Sequence, residues 1–263
     1  MKPWVRNMIV WLLIGLFMLV TLSFASLRSQ RVLCSQILVT VTDSMRNQFI
    51  TAKDIEQHVH TLEKKIMGEP LDQINTRTIE HSLKKMPAIE SVEAYVDVEG
   101  ALHIEVQQRT PIVRIVNEKG ESYYLDAKGY IIPLQDSYTP LVLVANGHIV
   151  ENFEWQRQTT IFGKRQQKNQ SRTLQEVYRM ALHIHKDAFW SKQIEQVYVN
   201  RKGEYELIPR VGAHLILLGE ADNFDSQLDQ LWAFYQQGLN KVGWNRYEII
   251  NLKFRNQIVC TKK

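Results

Sequence analysis

The residue types best suited to chemistry in this 263-residue chain are eight histidines, two cysteines and scattered carboxylates. His58 with His60, and His183 with His185, come closest to a metal-ligand spacing. On a helix, residues i and i+2 point about 200° apart, so neither pair can share one ion. They read as surface or half-buried imidazoles. Glu204 and Glu206 would share one face of a strand, as paired acid–base carboxylates could. Solvated charges at a sheet edge account for them more simply. Arg109 and Asp126 suit an ion pair holding a module junction better than a catalytic pair. HExxH, CxxC, a nucleophile elbow and a glycine-rich phosphate loop are all missing from the sequence. An enzyme needs converging reactive groups, and none are legible, so no cofactor, metal or small-molecule substrate is expected.

The remaining chemistry belongs to the backbone. Residues 247–254 alternate, with Ile250, Leu252 and Phe254 on one face and Lys253 and Arg255 on the other. Asn256-Gln257 then turns the chain into a short last strand, Ile258-Val259-Cys260. A strand at a sheet margin offers unpaired N–H and C=O groups that recognise a partner by strand addition.

Composition narrows the field further. The net charge of +4 is modest and spread along the chain, which gives no reason to expect nucleic acid. Two cysteines do not make a disulfide framework, and pairing Cys34 with Cys260 would require adjacent chain ends. They read as two unpaired thiols.

Residues 7–27 carry no charge, and the run from Met8 to Val20 is apolar on every face. Twenty-one helical residues at about 1.5 Å each can cross a hydrocarbon core of roughly 30 Å. Trp4 and Trp11 stand where indoles settle at an interface, and Lys2 and Arg6 lean the short tail towards the cytoplasm. The expected division is a tail at 1–7, a signal anchor at 8–27, and an exported remainder. The alternative is a removable signal peptide cut after Ser23-Phe24-Ala25, against which the apolar stretch is long. A lipoprotein site at Cys34 fails, because Arg31-Val32-Leu33 lacks the small residues it requires.

Within 32–108, Ile37, Val39 and Val41 predict a strand over 32–43. Thr51, with Asp54 three residues on, predicts a capped helix presenting Ile55, Val59, Leu62 and Ile66 on one face. Asn75 or Thr76 opens a second helix with Ile79, Leu83 and Met86 inward, which Pro87 stops. Alternation from Val92 to Val98 and from Leu102 to Val106, around Glu99-Gly100, predicts a hairpin. This strand-helix-helix-strand-strand order after a signal anchor resembles the POTRA domain of exported bacterial proteins. Leu83-x-x-x-Pro87-x-Ile89 agrees with that family's second-helix exit, and Asp43 departs from its usual glycine.

From 109 onward, Arg109-Thr110-Pro111 predicts the start of an edge strand, and Asp126-Ala127-Lys128-Gly129 a turn with Gly129 at positive φ. Strands are further expected at 194–200, 205–209 and 214–218, a polar loop at 153–172, and a helix from Thr173 with Leu174, Val177, Tyr178, Ala181 and Leu182 on one face. A last helix over 223–237 should turn Leu228, Leu231, Trp232 and Tyr235 inward. The Arg-x-Pro strand, the Leu125-Asp126-x-x-Gly129 turn, Pro133 and the closing Asn251-Leu252-Lys253-Phe254 segment resemble the FtsQ/DivIB cell-division family. Gln108, Asn251 and Lys253 replace its usual acid, Asp and Arg. The expected fold class is therefore α+β: a transmembrane helix, a POTRA domain over 32–108, then a mostly antiparallel β domain over 109–263 with two or three helices.

The resemblance implies a non-enzymatic divisome scaffold in the inner membrane, mostly periplasmic and concentrated at the septum. It implies binding of the FtsB–FtsL pair through Phe254, Arg255, Asn256, Gln257, Ile258 and Val259, with Lys253 and Arg255 attracting an acidic segment. It also implies that the POTRA surface helps localise the protein. The alternatives are a POTRA docking protein of envelope assembly, disfavoured by the single POTRA copy, and an anchored cell-wall hydrolase.

Overall fold

The computed structural model describes residues 3–29, 32–42, 47–62, 66–151, 160–162 and 172–263, and divides into two compact units, Met1–Gln108 and Arg109–Lys263. The first opens with helix α1, Pro3–Ser29, whose side chains at 11–23 are all exposed. Among the described residues no helix is long and apolar enough to cross a membrane. The transmembrane reading of 8–27 therefore rests on the sequence.

The rest of the first unit is β1 Gln36–Val41, α2 Ala52–Leu62, α3 Thr76–Leu83, β2 Ile89–Val96 and β3 Ala101–Gln108. The sheet order is β1-β3-β2, with β1 parallel and β2 antiparallel to β3. The expected caps form. Asp54 Oδ2 accepts the Thr51 N–H at 2.8 Å while the Asp54 N–H donates to Thr51 Oγ1, and Asn75 Oδ1 accepts the Thr78 N–H. Ile55, Val59, Ile79 and Leu83 are buried in one layer with Val92, Ala94, Leu102, Ile104 and Val106. Each such valine, leucine or isoleucine contributes about 1.5–3 kcal/mol on burial. Three expectations shift. The first strand is shorter than 32–43, and Asp43 lies outside the described residues. Leu62, at the end of α2, is exposed while Ile66 is buried beyond it. Val98 is 91% exposed, because the Asp97 carboxylate accepts the Glu99 and Ala101 N–H groups and starts the turn two residues early.

The second unit is a nine-stranded sheet around α4 Arg172–Lys186, α5 Trp190–Gln193 and α6 Phe224–Phe234. Its strands are β4 Pro111–Val116, β5 Ser122–Asp126, β6 Ile131–Pro133, β7 Leu143–Gly147, β8 Ile194–Val199, β9 Tyr205–Pro209, β10 Leu215–Gly219, β11 Tyr247–Asn251 and β12 Val259–Lys262. They lie in the order β12-β11-β10-β9-β8-β7-β4-β5-β6. Most joints are antiparallel, but β4–β7, β7–β8 and β10–β11 are parallel. β4 is therefore interior, not the edge strand expected from Pro111. The proline is tolerated because it is the strand's first residue, aligned with Asp126 and preceding the Val113–Leu143 start of the β7 ladder. α6 passes into a π turn, Tyr235–Leu239, and then α7, Asn240–Val242. Trp232 is exposed, against expectation, while its ring packs on Phe189 at 4.5 Å. The expected loop at 153–172 lies largely outside the described residues; Thr160–Phe162 approaches Tyr130 and Ile161 is buried.

Candidate partner-binding edge

The last two strands are set by α6 and by β10. Leu217 C=O accepts the Leu252 N–H, and Gln227 Nε2 donates to both Leu218 O and Leu252 O, at 2.8 and 3.0 Å. Beyond Leu252 the ladder stops. Asn251 Oδ1 accepts the Lys253 N–H at 3.0 Å, a local side-chain turn that outcompetes strand continuation. β11 therefore ends at Asn251, and Phe254 does not join Ile250 and Leu252 in the core. It is 50% exposed.

Arg255, Asn256 and Gln257 follow as an exposed turn, with Asn256 at φ 59°, a left-handed conformation that asparagine accepts better than most residues. Ile258 is half-buried and packs against the core. The last strand is Val259–Lys262, not 258–260; it pairs Val259 with Asn251, Cys260 with Ile250 and Thr261 with Ile249. Val259 is 38% exposed. Among the described residues no strand lies on the second flank of β12.

Electrostatics alter one expectation. Lys253 Nζ contacts Glu204 Oε2 at 2.7 Å, and this hydrogen bond, followed by one from Asn200, holds the Glu204 carboxyl below its usual pKa. Lys253 is thus neutralised within the unit, and Arg255, which forms no ion pair among the described residues, is left as the exposed cation of the turn. Glu206 lies on the interior strand β9 and Glu204 just before it, at the end of the β8–β9 turn, so neither is an edge-strand charge; Asn200 Nδ2 bonds both. Burial pushes the Cys260 thiol pKa up, and both cysteines are free.

The other sequence candidates are spread apart. Arg109 bonds Asp126 at 2.9 Å and lies over the Tyr130 ring at 3.7 Å, while Asp126 Oδ1 accepts the Lys128 and Tyr130 N–H groups, so the cluster holds the β5–β6 turn. His58 bonds Ser82, and His183 pairs with Asp225. The described residues contain no cluster able to hold a metal ion. What the sequence did not reveal is a cleft of about 450 Å³ beside the terminal turn, where Gln230, Phe234, Gln237 and Gly238 meet Asn256 and Ile258. The helical spacing of Phe234 and Gly238 was its only trace.

The arrangement offers a backbone edge, an exposed aromatic and a cation side by side. Two family models match this chain. One, described as FtsQ/DivIB, C-terminal related, covers residues 110–261, and a POTRA-like domain covers residues 32–107. No curated protein matches it.

Proposed function

Because the chain belongs to the FtsQ/DivIB family of cell-division proteins, we propose that it is a non-enzymatic scaffold of the bacterial divisome. In this reading α1 anchors it in the inner membrane through residues 8–27, the two units work in the periplasm at the septum, and the terminal edge binds the FtsB–FtsL pair. The uncharged run 7–27 supports the anchor. The observation that carries the binding role is β12, laddered on one flank by β11 and adjoining the exposed turn of Phe254, Arg255, Asn256 and Gln257. A partner strand would gain main-chain hydrogen bonds along β12, and Arg255 would raise its association rate if the partner is acidic.

Ile258 packs against the core, so a charge there would disturb the unit itself; the exposed Val259 is the cleaner site. Val259→Glu should lower co-purification of FtsB at least tenfold with an unchanged far-UV circular dichroism spectrum, and cells relying on the variant should grow as filaments. Full FtsB recovery with the variant would overturn the β12 contact.

A further inference from the structure

Among the described residues, four strands form the flanks of the two sheets: β1 and β2 in the first unit, β6 and β12 in the second. Open flanks invite unwanted pairing, and proteins blunt them with charge, proline, bulges or brevity. β6 is three residues long and ends in Pro133. β2 carries Glu90 and Glu93 and a register shift between Ile89 and Ser91. β12 is four residues long and includes Lys262. β1 has none of these devices. Its six residues, Gln-Ile-Leu-Val-Thr-Val, hold no charge and no proline, and their register with β3 is unbroken.

Burial across the sheet points the same way. Leu102, Ile104 and Val106 of β3 are fully buried, and Val92 and Ala94 of β2 are buried beside them. Ile37, Val39 and Val41, their register partners on β1, are only half-buried. The apolar layer under α2 and α3 is thus incomplete on the β1 side, and one more strand would complete it. On the opposite face Leu38 is 41% exposed. Thr40 is aligned with Glu105, which is aligned in turn with Glu93. Like charges directly opposed across a ladder repel, and neither carboxylate forms an ion pair among the described residues.

We propose that β1 is a second strand-addition site. Its occupant is an extended segment of a partner protein, with aliphatic side chains at every second position and lysine or arginine between them. The aliphatic set continues the layer of Ile37, Val39 and Val41. The basic set lies on the Glu105 face. The added backbone is two strand spacings or about 10 Å from β3, and lysine or arginine side chains leaning across Thr40 bring their charge to within the Debye length of about 8 Å at physiological salt. The proposal rests on the scaffold reading above but names a different edge and a different partner chemistry.

The test uses the full-length chain and an acetylated heptapeptide, Lys-Val-Lys-Ile-Lys-Val-Lys, with its glutamate-for-lysine counterpart as control. The basic peptide should slow amide hydrogen exchange at residues 36–41 at least fivefold and bind at least tenfold tighter than the acidic one. The double variant Leu38→Lys, Thr40→Lys leaves the helix-side layer intact and should abolish both effects while FtsB recovery is unchanged. Equal binding of the two peptides, protection at β12 instead of β1, or self-association that the double variant removes would overturn the proposal, the last by giving the edge to a second copy. Protection at β1 in a chain that fails to recover FtsB would sustain it and sink the β12 reading alone.

Discussion

His214 is buried just ahead of β10, with Nε2 2.9 Å from the Tyr235 hydroxyl and the Trp244 ring packed on Tyr235 at 4.8 Å. Burial is the main influence on its pKa and lowers it; the Trp244 backbone opposes this and Lys263 adds to it. The folded state therefore holds this imidazole neutral, whereas the unfolded chain takes up a proton below about pH 6.5. Stability from this site is complete above that value and is lost as pH falls through it towards the depressed folded pKa. The unfolding temperature should drop between pH 7 and pH 5, and His214→Gln should flatten that drop. Parallel curves for the two proteins would move the proton uptake elsewhere. Asp97 acts in a separate window. Its carboxyl is held at about 2, first by the Ala101 N–H and then by His103, so it matters only in strong acid.

Among the elements, α6 controls the terminal ladder through one side chain. Gln227 is buried and spends its amide on the Leu218 and Leu252 carbonyls. Gln227→Leu would leave two acceptors unpaired, at a cost of roughly 1–3 kcal/mol in chemical denaturation, and should speed hydrogen exchange in β11 and β12. Unchanged exchange there would mean the clamp is redundant. Such cross-links were not legible beforehand, and the reason is physical. Alternation revealed β3 from Leu102, Ile104 and Val106, and side-chain oxygens at Thr51 and Asn75 revealed two helix starts, because both signals are local. Strand direction leaves no mark in alternation, so the parallel joints stayed hidden. The π turn at Tyr235–Leu239 leaves no mark in composition either. Phe254 continued the pattern of Ile250 and Leu252, but the Asn251 side chain ended the strand first. Of the site, the strands and turn were legible and the adjoining cleft was not, since its walls come from residues about twenty positions apart.

At the scale of the molecule, the division into Met1–Gln108 and Arg109–Lys263 sets how the protein should unfold. Two units with separate cores need not melt together. Residues 32–108 contain no tryptophan, whereas Trp155, Trp190, Trp232 and Trp244 belong to the second unit. Trp4 and Trp11 of α1 are already exposed in the folded chain. In urea, the change in tryptophan fluorescence should therefore follow the second unit while circular dichroism follows both, giving curves that do not superimpose. Superimposable curves would show a single cooperative block.

The parallel joints also bear on time. β4 meets β7, β7 meets β8 and β10 meets β11 only after the chain between them has been drawn closed, and loop closure spends entropy before any ladder bond repays it. The nine-stranded sheet should thus be a slow assembler, needing shelter from neighbours while its middle strands wait for one another.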